Sequence, residues 1–138
     1  MKILFVTLEE SARQNLRSIL DDNFYIQNSN NIYTFGFKNN NPIFKDITNI
    51  NIKSIMGLTN IIRNIPYLLK LRFKLYQIIS GHNFTHIFFI DSFDFTKFYL
   101  NKFKSSKIKY CQVIGPSVFI WIKSKAKYIN NKLDHIFS

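Results

Sequence analysis

Cysteine is almost absent from this chain: Cys111 is alone. One thiol excludes an internal disulfide framework and a zinc site built only of cysteine, and it fits a reducing compartment. Glycine occurs four times, scattered, so no glycine-rich phosphate loop is expected. The three histidines, His82, His86 and His135, show no metal-like spacing with acids or with Cys111, and no metal is expected. No apolar run approaches the roughly 20 residues needed to cross a bilayer. No charged start leads into a long apolar stretch, so no signal peptide is expected. Acidic residues are few: eight against 19 Lys and Arg, a formal charge of +11.

What is present is the composition of a folded domain. Hydrophobic residues make up 46% of 138 positions, enough for one core and not for two. The positive charge fits nucleic acid, an anionic membrane surface or phosphorylated substrates. It also fits genomic drift, because Lys, Asn, Ile, Phe and Tyr are all abundant and their codons are rich in A and T. The lysines are spread along the chain rather than concentrated, which argues against nucleic acid.

Hydrophobic patterning gives a strand at 2–7, "KILFVT", then a helix over 11–22 with Leu16, Ile19 and Leu20 at helical spacing and Ser11 as a candidate cap. A second strand lies within 31–42 and runs into an Asn-rich loop; the stretch to Thr48 is weakly patterned. Residues 58–80 form a long basic amphipathic helix. Ile61, Ile65, Leu68, Leu69, Tyr76 and Ile79 share one face, and Arg63, Lys70 and Lys74 lie near the opposite one. Pro66 marks a kink or a first turn, and Gly81 a C-cap. Arg72 falls inside the apolar face, so it either snorkels to an edge or serves a site. "THIFFID" is a strand, 93–105 a helix, "KIKYCQVIG" a strand, 123–133 a helix and "HIFS" a last strand. Alternating strands and helices predict an α/β fold, a Rossmann-like parallel sheet with helices on both faces.

In such sheets ligands sit beyond the carboxyl ends of the strands. Asp91 is at one such end, 7–10 at another and 115–117 at a third. The ordinary role for Asp91 and Asp94 is first-turn stabilisation of the helix that starts near Phe93. A base role requires a carboxylate beside a polar hydrogen in a partly dry cleft.

Three blocks carry a resemblance: "MG" at Met56–Gly57, "DSFDF" at Asp91–Phe95 and "PSVFIW" at Pro116–Trp121. In register, they resemble the N-terminal domain of the lipid-A-disaccharide synthases, with Arg72 where that family tends to have arginine. The family consists of inverting, two-domain GT-B glycosyltransferases. The resemblance implies transfer from UDP-2,3-diacylglucosamine to 2,3-diacylglucosamine 1-phosphate, with release of UDP and formation of a β-1,6 disaccharide in lipid A biosynthesis. It implies Asp91 as the catalytic base, and Glu9, Ser11, Met56, Gly57, Arg72, Asp94, Pro116, Ser117 and Trp121 as substrate-binding. No cofactor is implied. It also implies a cytoplasmic enzyme, peripheral on the inner membrane, with Tyr67, Phe73 and Tyr76 dipping toward lipid.

Departures from the family pattern accompany these matches. Leu8 and Ala12 replace loop glycines, Arg13 an aspartate, Asn60 an acid, Thr96 an asparagine and Ile122 an arginine. The chain is expected to be a single acceptor-side domain over 1–138 without the nucleotide-sugar domain. Either a separate C-terminal half supplies the rest, or the chain is a truncated, inactive remnant that binds lipid or a membrane surface. A basic nucleic-acid-binding α/β domain is the third alternative.

Overall fold

The computed structural model describes residues 1–8, 12, 14, 16, 31–36, 45–48, 65–90, 93–113 and 133–137. Among them six strands form one sheet: β1 (Ile3–Thr7), β2 (Ile32–Phe35), β3 (Lys45–Asp46), β4 (His86–Ile90), β5 (Lys109–Val113) and β6 (His135–Phe137). Two helices are described, α1 (Ile65–Gly81) and α2 (Phe93–Phe103). The spatial order is β3-β2-β1-β4-β5-β6, and every pairing is parallel. This is the expected α/β Rossmann-like sheet. The predicted helix over 123–133 lies outside the described residues. So do most of 11–22 and residues 58–64.

Strand alternation assigns the two faces. Leu4, Val6, Ile87 and Phe89 join Leu71, Leu75, Tyr99 and Leu100 of the helices in one buried cluster. Phe5 and Ile90 point the other way and pack with Ala12, Leu16 and Ile32. Ala12 and Leu16 are helical, so apolar layers cover both faces of the sheet.

Register is held at the strand starts. The Thr85 N–H donates to Lys2 O at 2.9 Å, the Lys2 N–H donates to Thr85 Oγ1 at 3.1 Å, and the Thr85 hydroxyl returns to Lys2 O at 3.0 Å. These bonds pin β1 to β4. At the far edge the Tyr110 N–H donates to Asp134 Oδ2 at 2.8 Å, and the Asp134 N–H donates to Tyr110 O at 2.8 Å. They dock β6 on β5, with Lys109 Nζ 3.6 Å from Asp134 Oδ1.

Helix α1 departs from expectation in two ways. Its buried residues are Leu71, Leu75, Ile78 and Ile79, whereas Ile65, Leu69 and Tyr76 of the predicted apolar face are exposed. The helix has two apolar faces, and the sheet takes the one centred on Leu75. Gly81 closes the helix without the left-handed backbone that Gly36 adopts (φ 88°) among the described residues. His82 supplies the cap instead, its Nδ1 lying 2.8 Å from Ile78 O. Pro66 falls in the first turn, where its missing N–H costs nothing.

Cys111 is buried in β5. Burial, then the nearby Asp134 carboxylate, push its thiol up to about 11 from 9.0, against a smaller opposing pull from Lys109. Between these values the folded chain keeps the proton that the unfolded chain has lost. The stabilisation is therefore complete below pH 9 and disappears as pH rises toward 11. Unfolding free energies from urea titrations across that interval should fall by about 1.4 kcal/mol per pH unit from this group.

Candidate functional site

The chain leaves β1 toward β2 and leaves β4 toward β5, in opposite directions along the sheet. The two strands are neighbours, with Thr7 opposite Ile90 at their carboxyl ends. A sheet that reverses direction between adjacent strands opens a crevice there, because the crossovers depart to either side. Two residues, Asp91 and Ser92, join Ile90 to the first residue of α2.

Of the expected site residues, Asp91, Glu9, Ser11, Met56, Gly57, Pro116, Ser117 and Trp121 lie outside the described residues. Arg72 and Asp94 are described. Asp94 is exposed in the first turn of α2, where an acid complements the helix N-terminus. Arg72 is half-buried and bridges the two helices. Its Nη1 donates to Phe98 O at 3.2 Å, and its guanidinium lies 3.7 Å from the Phe98 ring centroid and 5.8 Å from that of Phe103. The structure thus brings Arg72 to the middle of α2 rather than to the strand ends. An aromatic face and a backbone carbonyl receive the charge.

At the carboxyl ends of β1 and β2 the described residues are buried, polar and apolar alike. Thr7 is buried, its hydroxyl 3.4 Å from Phe35 O. Leu8 is 7% exposed and belongs to the same cluster as Val6 and Phe35. Gly36 takes positive φ at the end of β2, and its N–H donates to Thr48 Oγ1 at 2.6 Å. The Thr48 N–H in turn donates to Asp46 Oδ1 at 2.9 Å. These two bonds tie the end of β2 to the residues that follow β3. Among the described residues no group of His, Cys, Asp and Glu could hold a metal ion.

The family model described as lipid-A-disaccharide synthetase matches residues 3–138. The chain belongs to this family. It is 30% identical over 81 residues to the lipid-A-disaccharide synthase of Alcanivorax borkumensis, covering 59% of this chain and 21% of that protein. Against the lipid-A-disaccharide synthase of Wigglesworthia glossinidia brevipalpis it is 32% identical over 85 residues, 62% of this chain and 22% of that protein. Methylobacillus flagellatus has a similar relative of the same name, 28% identical over 85 residues. The match spans about a fifth of the length of these relatives. No solved structure matches the chain.

Membership gives weight to the departures noted in the sequence. At the positions where the lipid-A-disaccharide synthase pattern has loop glycines, Leu8 and Ala12 are buried core side chains. Thr96, in place of asparagine, is buried in α2. Side chains that the family would leave small or polar are here spent on packing.

Helix α1 keeps one apolar stripe in solvent. Ile65, Leu69, Phe73 and Tyr76 are 48%, 42%, 54% and 38% exposed. Their 4-4-3 spacing was visible, but it merged with the buried face into one broad apolar pattern.

Proposed function

We propose that this chain is the acceptor side of a hexosyl transfer in lipid A biosynthesis. The donor would be UDP-2,3-diacylglucosamine and the acceptor 2,3-diacylglucosamine 1-phosphate. The observation that carries the proposal is the topological switch point between β1 and β4, which ends one residue before Asp91. In the proposed step the Asp91 carboxylate takes the proton of the acceptor hydroxyl. That oxygen bonds to the donor's anomeric carbon, whose bond to UDP breaks, and UDP leaves with the electron pair. Inversion follows from attack opposite the leaving group.

Glu9, Ser11, Met56, Gly57, Asp94, Pro116, Ser117 and Trp121 would surround the acceptor. Arg72 would act at a distance, fixing α2 through Phe98 and so the segment that carries Asp91. The nucleotide requires a donor-side domain, encoded with this chain or apart from it. The test is to combine the chain with a donor-side domain of the family and follow UDP release from the two acylated sugars. Release that depends on both parts supports the proposal; none from the pair refutes it.

The exposed stripe on α1 supports a membrane-surface role for the same domain. Ile65, Leu69, Phe73 and Tyr76 fall within one narrow helical sector, and Lys70 and Lys74 both lie beyond its Phe73 side. An apolar strip edged by lysine suits an anionic lipid surface. No helix among the described residues is long and apolar enough to cross a membrane. Replacing Leu69 and Phe73 by serine should weaken co-sedimentation with anionic vesicles about tenfold or more, given the apolar area withdrawn from lipid. Unchanged sedimentation would discard this role.

The buried Leu8 favours a second possibility, a catalytically silent domain that keeps the lipid surface. It predicts vesicle binding with no UDP release from any pairing.

A further inference from the structure

At the opposite edge of the sheet from the switch point lies a cleft of about 820 Å³. It forms where the last turns of α1 and α2 meet the segments that enter β4 and β5. Tyr76, Tyr99, Tyr110, Lys102, Lys104 and Lys107 are among its walls, and none of the lining residues is acidic.

Two observations set this cleft apart from an ordinary basic surface. Tyr99 is fully buried, and its hydroxyl has no hydrogen-bond partner among the described residues. Buried hydroxyls are nearly always bonded, so a group from outside the protein should complete this one. Close by, the Ser105 N–H donates to the Tyr110 hydroxyl at 3.0 Å, leaving the Tyr110 proton to be donated. Burial raises the pKa of both phenols, so each remains a donor at neutral pH.

The lysines need a separate account. Two helix C-termini end here, and cations commonly gather at such ends. That explains Lys102, in the last turn of α2. The end of α1 is already capped by His82. Lys104 and Lys107 lie beyond α2, in a turn closed by the Lys107 N–H donating to Ser105 Oγ at 3.3 Å. With two buried phenols behind one wall and the lysines of 102–107 along another, the cleft suits a compact, negatively charged ligand with several acceptor oxygens, which the unpaired Tyr99 hydroxyl could reach by a small shift.

We propose that this amino-edge cleft is a phosphate-binding site. Its ligand is a phosphate monoester, borne either by a soluble metabolite or by a lipid headgroup. The site lies across the sheet from the proposed transfer crevice and does not depend on that reaction.

The test is amide chemical-shift mapping of the full chain during titration with inorganic phosphate, with chloride holding ionic strength constant. The expected result is saturable shifts at Tyr99 and across 105–108. Lys104→Gln combined with Lys107→Gln should weaken binding by about tenfold. Both lysines are exposed, so the variant should fold. Tyr99→Phe removes a single oxygen and should weaken binding several-fold if the hydroxyl meets the ligand. Glycerol 3-phosphate and a water-soluble short-chain phosphatidic acid then separate the two sources: tighter binding of the second indicates a headgroup. Non-saturating shifts spread over lysines throughout the chain, an equal response to chloride, or wild-type affinity in both variants would overturn the site.

Discussion

Asp91→Asn should lower hexosyl transfer by about 10²- to 10⁴-fold when the chain is assayed with a donor-side domain, the range associated with loss of a positioned base. The asparagine side chain has nearly the same shape but cannot accept the hydroxyl proton. Asparagine is also well tolerated beside a helix N-terminus, so the change just ahead of α2 should cost at most about 1 kcal/mol of stability. A large loss in rate with nearly unchanged unfolding is the expected pattern. Asp94→Asn, on the exposed first turn, should affect rate far less. Arg72→Met should differ from both, combining a smaller loss in rate with a lower unfolding midpoint, because Arg72 also holds Phe98. Full activity in Asp91→Asn would place the base elsewhere.

Leu75→Ala should destabilise the chain by about 2–5 kcal/mol. Leu75 is fully buried in the larger cluster and sits at the centre of the face that α1 turns to the sheet. Truncation leaves a cavity that the packed sheet can only partly close, because its strands are pinned at Lys2–Thr85 and Tyr110–Asp134. A domain of this size has a total stability of about 5–15 kcal/mol, so the urea midpoint should drop severely. Phe73→Ala, two residues earlier and 54% exposed, should barely move it. Equal effects from the two substitutions would mean that the faces of α1 are assigned wrongly.

These contrasts show which parts of the molecule could be seen in its sequence. The strands β1, β4 and β5 announce themselves because short apolar runs between polar residues have few alternatives in a chain this size. Helix α2 was expected to begin at Phe93, and it does. By contrast β3 is two exposed residues, Lys45 and Asp46, held by backbone pairing to Tyr33 and Thr34. Nothing in side-chain pattern marks such a strand. In α1 the helix was legible but its orientation was not, since two apolar stripes share it and only tertiary packing selects between them.

The crevice was legible in the same uneven way. That Asp91 follows a strand end was clear from "THIFFID", and the parallel order of the sheet then gives that end its significance. The destination of Arg72 could not be read, because Phe98 and Phe103 are 26 and more positions away and their approach depends on helix packing. The amino-edge cleft was invisible for the same reason: Tyr76, Tyr99 and Tyr110 come from three elements and meet only in the fold.

The claim on which the functional account depends is that the acceptor sugar occupies the carboxyl rim between β1 and β4. Amide shift mapping with a short-chain 2,3-diacylglucosamine 1-phosphate tests it most directly, performed in phosphate buffer so that any site at the amino edge is already filled. The account predicts saturable shifts at Thr7, Leu8, Ile90, Phe93 and Val113. Silence at those amides, with or without response elsewhere in the chain, would contradict it.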